Sequence, residues 1–394
     1  MYLSDLALLD FRSHSALVAR LAPGVTTFVV GNGQGKTNLV EAVSYLATLS
    51  SHRVATTAPL IRRGAARAQI RAKLVRGDRS VLVDLELAPG QAARARVGKA
   101  KVKPAALLGV VKAVAFVPED LSLVKGGPDE RRRYLDEILL QLRPSLAGLM
   151  ADYDRVSHQR AALLKSLAQA GAEAQTEAAP ALDVWDQKAA ELGGRLTANR
   201  MALTADLAPL VADAYSALAS GGTAAMAYKP SVDLPAKPSA EAASAALLAA
   251  MAAARAKEIE RGVGLAGPHR DDLLLELGGL PARGYASHGE SWSLALGLRL
   301  AAFQLMRQDQ GDDPVLILDD VFAELDSQRR QAVEALVQGV EQVLITAAVE
   351  ADVPPGLTDR WYRLEGGQLL PADGEAAAGG RADGIGQEKK VDGG

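Results

Sequence analysis

Along the first ninety residues apolar and polar positions alternate. Leu3, Leu6, Leu8, Leu9 and Phe11, and later Ile70, Leu74, Val81, Val83, Leu85 and Leu87, predict antiparallel strands with turns at Gly77-Asp78 and Pro89-Gly90. From about Pro128 the period lengthens. Leu135, Ile138, Leu139 and Leu142 mark one helix, which Pro144 interrupts. Leu146, Leu149, Tyr153, Val156, Leu163, Leu164 and Leu167 mark a second. The alanine- and glutamate-rich residues 171–180 read as the tip where the chain reverses. Trp185, Leu192, Leu196, Leu203 and Leu207 then mark a return helix, and Pro230, Pro235 and Pro238 precede an alanine-rich helix over about 241–260. This helical stretch is too short for the sustained heptads of a long coiled-coil arm. Residues 372–394 are rich in Gly, Ala and Asp without periodicity and are expected to be disordered.

One apolar run, Thr26-Thr27-Phe28-Val29-Val30, leads into Gly31-Asn32-Gly33-Gln34-Gly35-Lys36-Thr37-Asn38 and then into the helical pattern Leu39, Val40, Ala42, Val43, Leu46. Strand, glycine-rich turn and helix in that order make a P-loop, whose backbone N–H groups and helix N-terminus cradle nucleotide phosphates. Lys36 would reach the β- and γ-phosphates of ATP, and the Thr37 hydroxyl would hold Mg²⁺. The pattern G-x-x-x-x-G-K-[ST] wants glycine where Val30 stands, with Gly31 next to it as a source of flexibility. The bland alternative is a glycine-rich turn that merely contains Gly-Lys-Thr, and the flanking strand and helix weigh against it.

A second half of a phosphate site lies far downstream. Pro314-Val315-Leu316-Ile317-Leu318-Asp319-Asp320 reads as a strand buried on both faces and ending in two carboxylates. Asp319 is placed to hold Mg²⁺, and Asp320 to orient or deprotonate the attacking water. Between the halves, Ser287-His288-Gly289-Glu290 opens an apolar helix, so Ser287 and Gly289 present free N–H groups and a hydroxyl to an anion. An ordinary N-cap with a downstream Glu gives the same pattern.

Ser287–Glu290 as a Ser-x-Gly-Glu element resembles the signature loop of ATP-binding-cassette and SMC-type ATPases, and Val321-Phe322-Ala323-Glu324-Leu325-Asp326 resembles their D-loop. Further stretches narrow the likeness: Gly33-Gln34-Gly35-Lys36-Thr37-Asn38-Leu39-Val40-Glu41-Ala42, Ser51-His52-Arg53, Phe116-Val117-Pro118-Glu119-Asp120-Leu121, Arg131-Arg132-Arg133-Tyr134-Leu135-Asp136 and Gly267-Pro268-His269-Arg270-Asp271-Asp272. With these, residues 1–370 resemble the RecF family, bacterial recombination mediators of the SMC-like group. The likeness implies an α/β ATP-binding-cassette/SMC-type P-loop ATPase head split in sequence, residues 1–120 with 262–371, and an inserted helical lobe over 121–261. It also implies an ATP-dependent homodimer in which Ser287 and Gly289 of one protomer close over the nucleotide of the other. The implied partners are double-stranded and gapped DNA, mediators of the RecO and RecR type and, indirectly, the RecA recombinase. Two departures stand out: Val30 replaces the first P-loop glycine, and Ser291-Trp292 occupies places where the family more often carries Gln and Arg. Asp320 is one methylene shorter than the Glu of many transporter ATPases, so slow hydrolysis is expected.

Composition fits a cytosolic globular protein: 394 residues, no cysteine, and no uncharged apolar stretch of membrane-spanning length. The N-terminus carries no signal-peptide pattern, and the expected location is cytoplasmic. Net charge is −3, yet residues 53–112 hold 14 Lys and Arg against 3 Asp and Glu, a local +11 that leaves −14 elsewhere. Such asymmetry is the footprint of a nucleic-acid binder, though a solvated sheet edge in an arginine-rich proteome would look similar. Aromatics are scarce there, which favours duplex phosphates over stacked single strands. A transporter ATPase subunit would share the nucleotide elements without the long insertion or basic lobe. A DNA-end or phage-defence ATPase of the SMC-like group would share the head and DNA binding but should carry a nuclease module or a nuclease partner. Residues 267–272 are the nearest candidate for such a metal cluster, and a turn before the strand 273–277 is the favoured reading.

Overall fold

The computed structural model describes residues 1–31, 35–219, 221–365 and 368–371. Two compact units are present: Met1–Leu107 with the described residues from Asp313 onward, and Leu108–Asp312.

In the first unit, five strands form a mostly parallel sheet in the order Gln368–Pro371, Arg360–Glu365, Gly24–Val29, Gln342–Ala347, Val315–Asp319. Every residue of Val315–Asp319 and of Gln342–Ala347 is buried, the burial that continuous apolar runs require. The helix Lys36–Thr48 buries Leu39, Val40, Val43 and Leu46. A second, antiparallel sheet runs His14–Arg20, Tyr2–Phe11, Ala68–Arg76, Arg79–Leu87, Arg94–Val97, Ala100–Val102. Its turn at Gly77-Asp78 lies where alternation places it, with Gly77 left-handed at φ 54°. Gln342 joins the sheets: its side-chain oxygen accepts from the Leu3 N–H at 2.9 Å and its amide donates to the Leu3 carbonyl at 2.9 Å. A buried amide satisfied at both ends fixes the first strand against the parallel sheet without an orphaned polar group.

The second unit is built on the helices Pro128–Leu142, Leu146–Leu167, Ala172–Leu218, Ala240–Arg261 and His288–Gln310. The reversal expected over 171–180 is shorter than that. The chain turns at 168–171, and Ala172–Leu218 is one helix with Pro180 and Pro209 inside it. A mid-helix proline costs about 3 kcal/mol. Here Leu182 packs with Leu164 and Leu167, and partly buried Ala178 adds to that cluster, so burial beside Pro180 offsets the lost hydrogen bond. Gly194 lets Ala240–Arg261 approach closely, since a Cβ there would lie 2.4 Å from the Ser244 nitrogen. The strand Ala224–Lys229, which carries no strong sequence signal, pairs antiparallel with Asp272–Leu277. Residues 288–310, expected in the head, pack along Ala172–Leu218 and belong to this unit.

Residues 267–272 are a polar hub. The Asp271 carboxylate accepts from Thr197 at 3.0 Å, Tyr228 at 2.6 Å and the Ser231 N–H at 2.7 Å. Arg131 pairs with Asp272 at 2.8 Å, and Arg200 pairs with Asp136 while donating to the Pro268 carbonyl at 2.9 Å. Asp271 and Asp272 are thus engaged in hydrogen bonds and an ion pair, and among the described residues no group of three or more His, Cys, Asp or Glu is placed to hold a metal ion. No described helix is long and apolar enough to cross a membrane.

Candidate functional site

The carboxyl end of the parallel sheet gathers the chemistry. Val30 follows its strand directly; its N–H donates to the Ala347 carbonyl at 3.0 Å and its side chain is buried, so a valine extends the ladder where the P-loop pattern has glycine. Gly35 caps the next helix in a left-handed conformation, φ 97°, and a Cβ there would come within 2.5 Å of Ser13 Oγ. Glycine is required on both grounds. Asn32, Gly33 and Gln34 lie outside the described residues, as does the expected disordered tail. Gly31 precedes them at the strand's end.

From the helix start, Lys36 extends to Asp320, Nζ to Oδ1 at 2.8 Å, and the Thr37 hydroxyl donates to Asp319 Oδ1 at 3.3 Å. Thr346, at the end of the neighbouring strand, donates its own hydroxyl to the same Asp319 oxygen and accepts the Asp320 N–H at 3.1 Å. Asp319 is 1% exposed. Burial pushes its carboxyl above the usual range, opposed by the hydrogen bonds from Thr346 and Thr37. Asp320 sits in the left-handed region at φ 56°, a strained conformation for a residue with a side chain, held by bonds from its N–H to both the carbonyl and the hydroxyl of Thr346. A hydroxyl and a carboxylate oxygen side by side at a strand end form a hard-oxygen donor pair of the kind that suits Mg²⁺.

Behind the loop is a charged cluster. Buried Glu41 accepts from Arg12 at 2.8 Å, from Ser51 at 2.6 Å and from Arg53 at 3.5 Å. Burial alone would raise its pKa, but the Arg12 and Ser51 hydrogen bonds hold it below the ordinary carboxylate value. Arg53 also donates to Asn38 Oδ1 at 2.9 Å, and Asn38 donates to Ser13 Oγ at 2.9 Å. The hairpin tip of residues 10–14 thus braces the first helical turn, with His14 Nε2 3.1 Å from the Gly35 carbonyl oxygen.

In the second unit, Ser287 caps the helix His288–Gln310. Its hydroxyl accepts the Glu290 N–H at 3.2 Å, while Glu290 accepts the Ser287 N–H at 2.8 Å, a complete capping box. Ser287 stays exposed at that tip and Gly289 half-buried. Ser291 is buried and donates to the Ser287 carbonyl at 2.7 Å. Trp292 packs edge-on against Phe116 with ring centroids 5.3 Å apart, so Ser291-Trp292 is a packing feature of this helix.

The description "RecF/RecN/SMC N terminal domain" matches residues 2–354. The DNA replication and repair protein RecF of Frankia alni is 54% identical over 379 residues, covering 94% of this chain and all of that protein. The chain belongs to the RecF family. Its counterpart of the same description from Streptomyces avermitilis is 53% identical over 372 residues, 94% of this chain and 99% of that one. Among solved structures, the recombination mediator protein RecF-ATPrS of the RecFOR pathway superposes with a TM-score of 0.85 at 24% identity, covering 94% of this chain and 98% of that chain. The Smc head domain of Pyrococcus furiosus gives 0.53 at 15%, covering 94% and 96%. The fold is therefore that of an ATP-binding-cassette/SMC-type ATPase head.

Within this RecF-family fold, Lys36, Thr37, Asp319 and Asp320 converge as a single group, and Val30, Gly31, Gly35 and Asn38 line the same loop and helix start. Ser287 and Gly289 belong to the other unit. Sequence inspection missed Thr346 and the hairpin tip Arg12-Ser13-His14.

Proposed function

We propose that this chain is an ATP-dependent DNA-binding mediator of recombinational repair and replication restart. The observation that supports it most is the convergence of Lys36, Thr37, Asp319 and Asp320 at one end of the parallel sheet, with Lys36 and Asp319 buried. ATP binds along residues 30–38. Thr37 and Asp319 would hold Mg²⁺, which when bound would supply positive charge to the phosphates. Lys36 exchanges its Asp320 partner for the β- and γ-phosphates, which leaves the Asp320 carboxylate free to orient a water and accept its proton. The shorter Asp arm makes this hydrolysis slow.

Ser287 and Gly289 of a second protomer close the site, giving an ATP-dependent homodimer. That dimer binds double-stranded DNA near single-strand gaps through the basic residues within 53–112. It works with RecO- and RecR-type mediators to load RecA. The names of the relatives, DNA replication and repair protein RecF and the recombination mediator of the RecFOR pathway, point the same way. The test is sedimentation of the protein and of Lys36→Ala with and without ATP and gapped duplex. ATP should shift the unaltered protein to a dimer that carries DNA, and Lys36→Ala should stay monomeric. A Lys36→Ala protein that dimerises normally with ATP would remove Lys36 from the nucleotide site.

A further inference from the structure

The basic surplus of residues 53–112 has a focus. Arg94–Val97 and Ala100–Val102 form the outermost hairpin of the antiparallel sheet, turning at Gly98-Lys99. Ala95 is buried, and the same face carries Val97, Ala100 and Val102. Strand alternation therefore puts Arg94, Arg96 and Lys101 on the opposite, exposed face, with exposed Lys99 at the tip and exposed Lys103 just past the strand end. Residues 87–118 contain no Asp or Glu.

Neighbouring carboxylates offset this face only in part, through Asp84 and Glu86. In register, Arg71 lies opposite Asp84, Asp84 opposite Arg96, and Arg96 opposite Lys101. Asp84 already accepts from Gln69 at 2.9 Å and pairs with Arg71 at 2.8 Å, so its charge is shared between Arg71 and the face of Arg96. Glu86 is shared by Arg67 at 3.3 Å and Arg94 at 3.5 Å. Arg96 and Lys101 are then two like charges directly opposite each other, an arrangement that disfavours the strand pair. A cross-strand cation pair at a sheet edge also blocks edge-to-edge pairing, but that purpose needs one lysine rather than five cations.

We propose that this hairpin grips the phosphate backbone of duplex DNA, with Arg96, Lys101 and Lys103 as the principal contacts. The inference rests on the DNA-binding reading above and adds where the contact is made. A repulsive pair retained in the free protein is relieved when a polyanion lies across it, and counterion release from that polyanion supplies the favourable term. No aromatic residue occurs between Ile61 and Val114, so the face has nothing on which to stack an unpaired base, and a duplex fits it better than a single strand.

The experiment is a salt titration of duplex DNA binding, read by fluorescence anisotropy, for the full chain and for Arg96→Gln/Lys101→Gln/Lys103→Gln, with vesicles of phosphatidylserine and phosphatidylcholine as a second arm. The slope of log affinity against log salt should fall by about 2–3, near one for each phosphate no longer neutralised. ATP affinity should be unchanged, and the melting temperature should hold or rise because the opposed cations are gone. An unchanged slope in the variant overturns the assignment of the hairpin while leaving DNA binding by the protein intact. A variant that loses vesicle binding but keeps its duplex slope assigns the hairpin to an anionic membrane surface and overturns it too. Absence of duplex binding by the unaltered chain would overturn the DNA-binding reading and this inference together.

Discussion

Replacing Thr346 by Val removes one hydroxyl from the centre of the site and leaves its volume nearly unchanged. That hydroxyl donates to Asp319 Oδ1 and accepts the Asp320 N–H at 3.1 Å. Asp320 loses little, because its N–H also meets the Thr346 carbonyl at 3.1 Å. Asp319 loses more: it is buried, and among the described residues its remaining hydrogen-bond donor is Thr37 at 3.3 Å. A hydrogen bond to a charged group contributes about 1.5–3 kcal/mol, so the valine protein should be about 2 kcal/mol less stable. With about 2–4 °C per kcal/mol for domains of 150–250 residues, the melting temperature should fall by roughly 4–8 °C. Thr346→Ser keeps the hydroxyl and loses one methyl, so it should fall by about 1 kcal/mol. Thermal melts of the three proteins give the stabilities, and ATP turnover against Mg²⁺ concentration gives the function. Thr346→Val should need more Mg²⁺ for half-maximal turnover, because Asp319 is less firmly oriented. A valine protein that melts with the unaltered one, or a serine protein that falls as far as the valine one, would refute the role of the hydroxyl.

Two further outcomes are expected. Asp320→Asn keeps size but removes the proton acceptor, so turnover should drop by roughly 10² to 10⁴ while ATP binding survives and the dimer stays on DNA; phosphate release at the normal rate would place the base elsewhere. Burial, assisted by Arg270, lowers the His269 imidazole to about 4 from an ordinary 6.5. The folded chain keeps it neutral while the unfolded chain takes up a proton. Its contribution is thus full above about pH 6.5 and is lost as pH falls towards 4, by at most about 3 kcal/mol at 1.36 kcal/mol per unit. Melting curves between pH 4 and 7 should show this loss, and His269→Gln should flatten it; equal slopes for the two proteins would contradict the assignment.

Much of the site was legible because its signals are local. A buried strand, a left-handed Gly35 and a helix start lie within a dozen residues, and Val315–Asp319 announces itself by its unbroken apolar run. The same holds for the capping box at Ser287, which is written in four consecutive residues. What escaped depends on partners distant in the chain. Thr346 acts on Asp319 from 27 positions away, and nothing around it marks it apart from other strand threonines. Ala224–Lys229 is a strand because Asp272–Leu277 pairs with it, not because alanines prefer strands. Pro180 reads as a helix stop until the packing of Leu182 against Leu164 and Leu167 is seen to hold the helix through it.

Sharing of one nucleotide site between two protomers is the central claim, and Ser287→Arg tests it most directly. The substitution places a long side chain at the exposed start of the helix His288–Gln310, while residues 30–38 belong to the other unit and keep their sequence. Sedimentation velocity and nucleotide affinity are measured on the same sample. The account predicts monomers that bind ATP with near-normal affinity and do not dimerise. An ATP-bound dimer that persists in Ser287→Arg, or a monomer that no longer binds ATP, would contradict it.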